Sequence, residues 1–236
     1  MQKYIDAHCH YITPMPDGAI SGFVYNSARP SDWAHAVAAS RATGGAGAIG
    51  VHPWYVDELS PDWVTQMVRV LRDNPTLMVG EIGLDRAHGN IDMQMPVFLC
   101  QLEIAHELNR AVHIHCVRAW DMMLNVFATH AMPPAIIIHG GVPSADIVRA
   151  VMQHANAYFS YAAVRSDKIA VSISATPIDR ILVESDAASP AVARAILPRT
   201  VEQITQILGA DASAMAEIIY NNSYGVITNG GQITQN

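Results

Sequence analysis

Six of the eleven histidines, His8, His10, His52, His113, His115 and His139, stand at or just beyond the ends of short apolar runs. The other five, His35, His88, His106, His130 and His154, fall on helical or loop stretches and read as solvated surface imidazoles. In His8-Cys9-His10 an extended backbone sends both imidazoles to one side and Cys9 to the other, so the pair could share a metal ion, although that spacing alone is common. In Val79-Gly80-Glu81-Ile82-Gly83-Leu84-Asp85 a carboxylate ends an otherwise apolar strand, and Glu81 there requires a metal, an arginine or a raised pKa. The alternation of Ile181-Leu182-Val183-Glu184-Ser185-Asp186 puts Glu184 and Asp186 on one face, where a salt bridge would also satisfy them. His115 and His139 close two further apolar strands. Each segment singly admits a structural role, but five separate strands ending in His or an acid at one face point to a shared centre. Cys9 and Cys116 turn away from their histidine neighbours as small buried hydrophobes, and His113, one layer below His115, is expected to be a packed or supporting imidazole rather than a ligand.

The elements that must carry these side chains recur along the chain. Strands are expected over Tyr4–His8, Ala19–Asn26, Ala46–His52, Leu77–Ile82, Val112–Cys116, Ala135–His139, Ala157–Tyr161 and Ile181–Asp186, the second being the weakest. Helices are expected over Trp33–Ala42, Asp62–Arg72, Met95–Leu108 and Ala145–Gln153, with Ser60 as cap and Pro61 at the first position of the second and Ser144 capping the fourth. Two more, around Val192–Leu208 and Ala212–Tyr220, follow the last strand. Eight strands alternating with helices in 236 residues suit a single-domain (β/α)8 TIM barrel with extra C-terminal helices, and an open doubly wound sheet is the runner-up. The barrel is expected to span residues 1–227, with a polar tail over 228–236.

Composition narrows the partners. Hydrophobic residues make up 50% and charged residues 15%, which excludes a disordered chain. The formal charge is −7, and only two of the fourteen basic residues are lysines, Lys3 and Lys168, so a broad footprint for long nucleic acid is not expected. Three cysteines without paired spacing and the lack of any long apolar run predict a cytoplasmic protein with no membrane association; no obligate protein partner is evident.

Together Ile5-Asp6-Ala7-His8-Cys9-His10, Gly50-Val51-His52-Pro53, Gly80-Glu81-Ile82-Gly83-Leu84-Asp85, Ile114-His115-Cys116, Ile138-His139-Gly140 and Val183-Glu184-Ser185-Asp186 resemble the successive motifs of the TatD-like family of metal-dependent hydrolases, which includes deoxyribonucleases. The resemblance runs in order from residue 4 to about 186, and more weakly to Asn222. It implies two divalent metal ions, with His8, His10 and Asp186 on one, His115 and His139 on the other, and Glu81 bridging. Zn, Mn, Mg and Fe all suit such ligands. It implies hydrolysis by metal-activated water, with Asp186 handling the proton and Glu81 completing the catalytic pair.

Departures from the family concern the substrate side: Gly140-Gly141-Val142-Pro143-Ser144 replaces a phenylalanine-containing turn, Arg86 stands where an aromatic is common, and the arginine after His115 comes three residues on, as Arg118. Asn222 is preferred over Asn221 as the late asparagine. His52, Arg86 and Arg118 are expected to contact substrate, Arg29 and Arg165 also lie near strand ends, and Trp54 and Tyr55 could stack a base. The expected activity is cleavage of phosphodiesters at short or single-stranded DNA ends. Hydrolysis of a small amide, lactone or other ester is the alternative. A catalytically silent binding barrel is disfavoured because all six implied ligands are present.

Overall fold

A computed structural model describes residues 2–12, 20–42, 44–164 and 166–228. Arg165, the first residue of the second expected strand and most of the expected tail lie outside them. Eight strands, β1 (Tyr4–Cys9), β2 (Ile20–Asn26), β3 (Gly45–Ile49), β4 (Met78–Asp85), β5 (Val112–Val117), β6 (Ile136–Ile138), β7 (Ala157–Tyr161) and β8 (Ile181–Val183), pair in chain order, all parallel. The helices are α1 (Trp33–Ser40), α2 (Trp63–Asp73), α3 (Ile91–Glu107), α4 (Trp120–Thr129), α5 (Ala145–His154), α6 (Asp167–Ala175), α7 (Pro190–Leu208) and α8 (Ala212–Thr228). This is the expected TIM barrel. Among the described residues no helix is long and apolar enough to cross a membrane.

Two apolar layers follow from strand alternation. Side chains pointing outward, such as Ile82, Leu84, Ile114, Ile138 and Phe159, pack beneath the helices. Those pointing inward, Ala7, Val24, Ala46, Ala48, Ile137 and Leu182 among them, fill the floor of the barrel with mostly small residues.

The seam between β8 and β1 closes through the segments just beyond the strands. The Asp186 N–H donates to His8 O (3.0 Å) and the His10 N–H to Ala187 O (2.9 Å). Below them Asp6, fully buried, accepts from the Ser185 N–H (2.8 Å), the Ser185 hydroxyl (2.6 Å) and the Tyr11 hydroxyl (2.9 Å). Burial pushes the Asp6 carboxyl up to about 7 even though these donors favour its charge. The same contacts that shut the barrel therefore set His8, His10 and Asp186 side by side.

Strand register is irregular between Asp6 and Cys9 and between Val79 and Ile82. Such bulges re-aim side chains, and these two deliver His8 and Glu81 to the barrel mouth. Gly83 allows β4 to lie tight on β5, since a Cβ there would fall 1.8 Å from His115 O at a backbone φ of +150°.

Some expected boundaries shift. The expected cap of α2 is not at Ser60 with Pro61 following; Asp62 precedes the first helical residue, and Ser60 instead donates its hydroxyl to Asp62. Helix α8 continues past the expected Tyr220 through Asn221 to Thr228. There the Asn222 amide donates to Ile178 O and Ile181 O (both 2.9 Å), which ties the helix to the base of β8. Helices α4 and α6 are not among the expected elements; the Val171, Ile173 and serine content of α6 reads locally as strand. Ser144 caps α5 as expected.

The Asp6 seam generates a stability prediction. Asp6→Ala leaves three donors without an acceptor and should lower unfolding free energy by roughly 3–5 kcal/mol, whereas Asp6→Asn keeps one acceptor oxygen and should cost about 1–2 kcal/mol. Urea denaturation of the two variants checks the order.

Candidate metal centre

The strand ends converge on Glu81. Its Oε2 faces His8 Nε2 at 3.3 Å, while its Oε1 faces His115 Nδ1 (2.8 Å), His139 Nε2 (3.1 Å) and His52 Nε2 (3.4 Å). Asp186 lies beside this group, with Oδ1 3.3 Å from His10 Nε2 and 3.9 Å from His8 Nε2. The six residues assigned as ligands are thus together. Together with His52 they offer compact sets of candidate ligating atoms, His8 with His10 and Glu81, His8 with His139 and Asp186, and His52 with Glu81 and His115, each within 4.8 Å.

Burial makes the electrostatics severe. Glu81 is 4% exposed, and burial alone would raise its pKa, but His139 and His8 hold it well below the usual carboxylate range. Burial works against a charged His139, yet Glu81 and Glu184 keep its proton affinity well above the ordinary imidazole value. For His8, burial and the neighbouring His139, whose ring stacks on it at 4.2 Å, win over the attraction of Glu81 and lower the pKa. Asp186 is half exposed, and hydrogen bonding to His10 overcomes burial to keep its carboxyl below the ordinary value. Its φ of +52° is a left-handed conformation, a strain often found where a side chain must be aimed at a functional site.

His115 Nε2 lies 3.5 Å from Asp85 Oδ2 without a hydrogen bond, whereas two rings are oriented from behind: His10 Nδ1 meets Asn26 O (2.9 Å) and His139 Nδ1 meets Glu184 Oε1 (3.1 Å). An acceptor behind each ring holds a proton on the far nitrogen and turns the other nitrogen's lone pair to the centre, the arrangement metal-binding histidines require. His52 differs. The Trp54 N–H donates to its Nδ1 (3.2 Å), which leaves its ring proton on Nε2, so it enters the centre as a donor.

These residues fit a divalent metal. The donor set is imidazole and carboxylate, and His8 Nε2 and His115 Nε2 are buried without a hydrogen-bond partner among the described residues.

The wider expectations divide. His113 is buried one layer down, 5.8 Å from the His8 ring, and takes no place in the ligand sets. Cys9 points away, its thiol donating to Val24 O. Arg86 is held by Asp121 through two bonds of 2.9 Å and by Arg118 O, while the Arg118 side chain is exposed on a left-handed backbone, φ +54°. Arg29 pairs with Glu58 and lies 3.8 Å over the Tyr55 ring. His88 is exposed but not merely solvated: it stacks on Trp54, whose indole N–H donates to Asp85 (2.6 Å).

Two supporting residues had gone unrecognised. From α3, the buried Gln94 amide brackets Asp85, accepting its N–H (2.7 Å) and donating to its carbonyl (3.0 Å). Gln101 brackets Val51 in the same way, accepting at 2.7 Å and donating at 3.2 Å. Two glutamines seven residues apart on the buried face of one helix were the available signal.

Comparison with known proteins places this geometry. Residues 5–228 match the family described as TatD related DNase. The chain is 29% identical over 146 residues to the 3'-5' ssDNA/RNA exonuclease TatD of Erwinia billingiae (strain Eb661), a match covering 58% of this chain and 56% of that protein. It is 26% identical over 151 residues to the human 3'-5' RNA nuclease TATDN2, covering 60% of this chain but 20% of that protein. The matches thus span about half or less of these two relatives. Among solved structures, the TatD homologue YJJV of Escherichia coli K12 superposes with a TM-score of 0.80 at 22% identity, covering 94% of this chain and 97% of that one. A TatD family hydrolase of Entamoeba histolytica gives 0.76 at 13% identity, covering 96% and 98%.

A cation bound only by the folded protein must raise its stability by mass action. Manganese or zinc at about a hundred times its dissociation constant should add roughly 2.7 kcal/mol. Thermal melts in chelator and in metal should differ accordingly for the wild type, and Glu81→Gln should remove most of that difference.

Proposed function

The chain belongs to the TatD related DNase family, and from that membership we propose that it is a metal-dependent nuclease that removes nucleotides from the 3' ends of short or single-stranded DNA or RNA. The observation that carries this reading is Glu81, whose two carboxylate oxygens face different imidazoles inside one buried cluster. His8, His10 and Asp186 would hold one divalent ion, His115 and His139 a second, with Glu81 between them. Zn, Mn, Mg or Fe would serve. Such ions, when bound, acidify water and offset charge on a phosphoryl group.

The side chains supply the rest. Asp186, half exposed and kept anionic, accepts the proton of the attacking water as the new P–O bond forms and the P–O bond to the departing sugar oxygen breaks. His52 offers its Nε2 proton to a substrate oxygen, since its other nitrogen is committed to the backbone. Arg118, exposed just beyond β5, is a cation available to a phosphate, and Arg86 braces its loop by donating to its carbonyl. With a formal charge of −7 and two lysines, the protein grips few phosphates, which suits a strand end better than a long duplex.

The cavity at the centre, about 370 Å³, is lined by His10, His52, Trp54, Tyr55, Glu81, His115, His139 and Asp186, and among the described residues no lysine or arginine lines it. That lining favours hydrolysis of a small carboxyl ester or lactone as the second reading.

Oligonucleotides labelled at either end, incubated with each metal beside carboxyl-ester and lactone reporters, separate the two. Progressive shortening from the 3' end is expected. Asp186→Asn should lower kcat by roughly 100-fold or more, and Arg118→Ala should raise KM with a smaller effect on kcat. Turnover of the carboxyl esters alone would overturn the nuclease reading.

A further inference from the structure

A second cavity, about 500 Å³, opens on the other side of Asp186 from the one containing Trp54. Asp186 lines both, so the two meet at the metal centre. One wall of the second is small and apolar, Ala163, Ala187 and Ala188 with Val192 and Ile196 of α7, beside Ser185 and Ser189, and Val192 is 51% exposed. Among its described lining residues there is no lysine or arginine. A flat ring would find an apolar wall to cover it.

One polar feature says which edge of the ring is read. Glu184, with 0% exposure, lines this cavity; its Oε1 takes the His139 ring and the Gly140 N–H (2.6 Å), but its Oε2 has no hydrogen-bond partner. A buried carboxylate oxygen left unpaired is costly, and a ligand that brings an N–H donor removes the cost. Every natural nucleobase carries such a donor, as an exocyclic amine or a ring N–H. The volume lies within the range of small-molecule pockets.

We propose that this chamber is a nucleobase subsite, which receives the base of a nucleotide flanking the scissile bond with its donor edge toward Glu184 Oε2. The proposal rests on the nuclease reading and extends it. Because the donor is common to all bases, the subsite grips a base without selecting a sequence, and the opening beside Trp54 is left for the neighbouring residue.

The test has a binding arm and a turnover arm. In chelator, titration followed by NMR or calorimetry should give deoxyadenosine tighter binding than purine deoxyriboside, which keeps the ring but lacks the donor, by roughly tenfold or more. A base-free deoxyribose should bind more weakly still. In the turnover arm, Ala163→Leu and Ala188→Leu, two independent ways of filling the chamber, should raise KM several-fold for base-bearing oligonucleotides and leave it unchanged when the flanking residue is abasic. Thermal melts confirm that each variant folds. Equal binding of the two nucleosides and the base-free sugar, or equal effects on base-bearing and abasic substrates, would overturn the subsite. Nucleoside binding with no phosphodiester cleavage would instead retain the subsite and overturn the nuclease reading.

Discussion

One buried carboxylate organises this protein. Glu81 sits where water cannot screen it, so its charge has to be met by neighbours, and four imidazoles from four different strand ends or loops meet it. Coulombic attraction is strong in such surroundings but desolvation is costly, and a cluster of this kind balances only when every member is in place. Divalent cations complete the balance better than protons do, because they draw on all the donor atoms at once. The centre is therefore a place where folding leaves electrostatic demand unmet until metal arrives.

Meeting Glu81 from several directions requires a closed barrel. The seam between β8 and β1 brings the first and last strands together, and Asp6 secures it with three donors from Ser185 and Tyr11. Closure also sets the residues that follow, so Asp186 reaches the mouth in a left-handed conformation next to His8 and His10. The register irregularities between Asp6 and Cys9 and between Val79 and Ile82 fall where alternation alone would not aim His8 and Glu81 correctly. Fold and centre share the same contacts.

Much of this was legible in the chain because a histidine or acid ending an apolar run breaks a pattern that the rest of the strand obeys. His8, His10, Glu81, His115, His139 and Asp186 all announce themselves that way, and the eight strands follow from the same runs. What was not legible depends on partners distant in sequence. Arg86 looked free, yet Asp121 across the next loop neutralises it. His88 looked like a surface residue, yet Trp54 folds back beneath it. The roles of Gln94 and Gln101 are invisible without knowing which carbonyls they face. Helix α6 was hidden because its Val, Ile and Ser residues favour extended backbone when considered locally.

The glutamine pair on α3 makes that helix a gauge block for the mouth of the barrel. Gln94 registers the end of β4 and Gln101 the loop that carries His52, two turns away on the same face. A single residue gained or lost between them would turn one amide about 100° round the axis and pull it off its strand. Length variation can accumulate in the loops around the rim, but this short stretch of helix cannot drift by one residue without uncoupling Asp85 from His52. The spacing between two uncharged side chains is thus as tightly constrained as the identity of the candidate ligands they never touch.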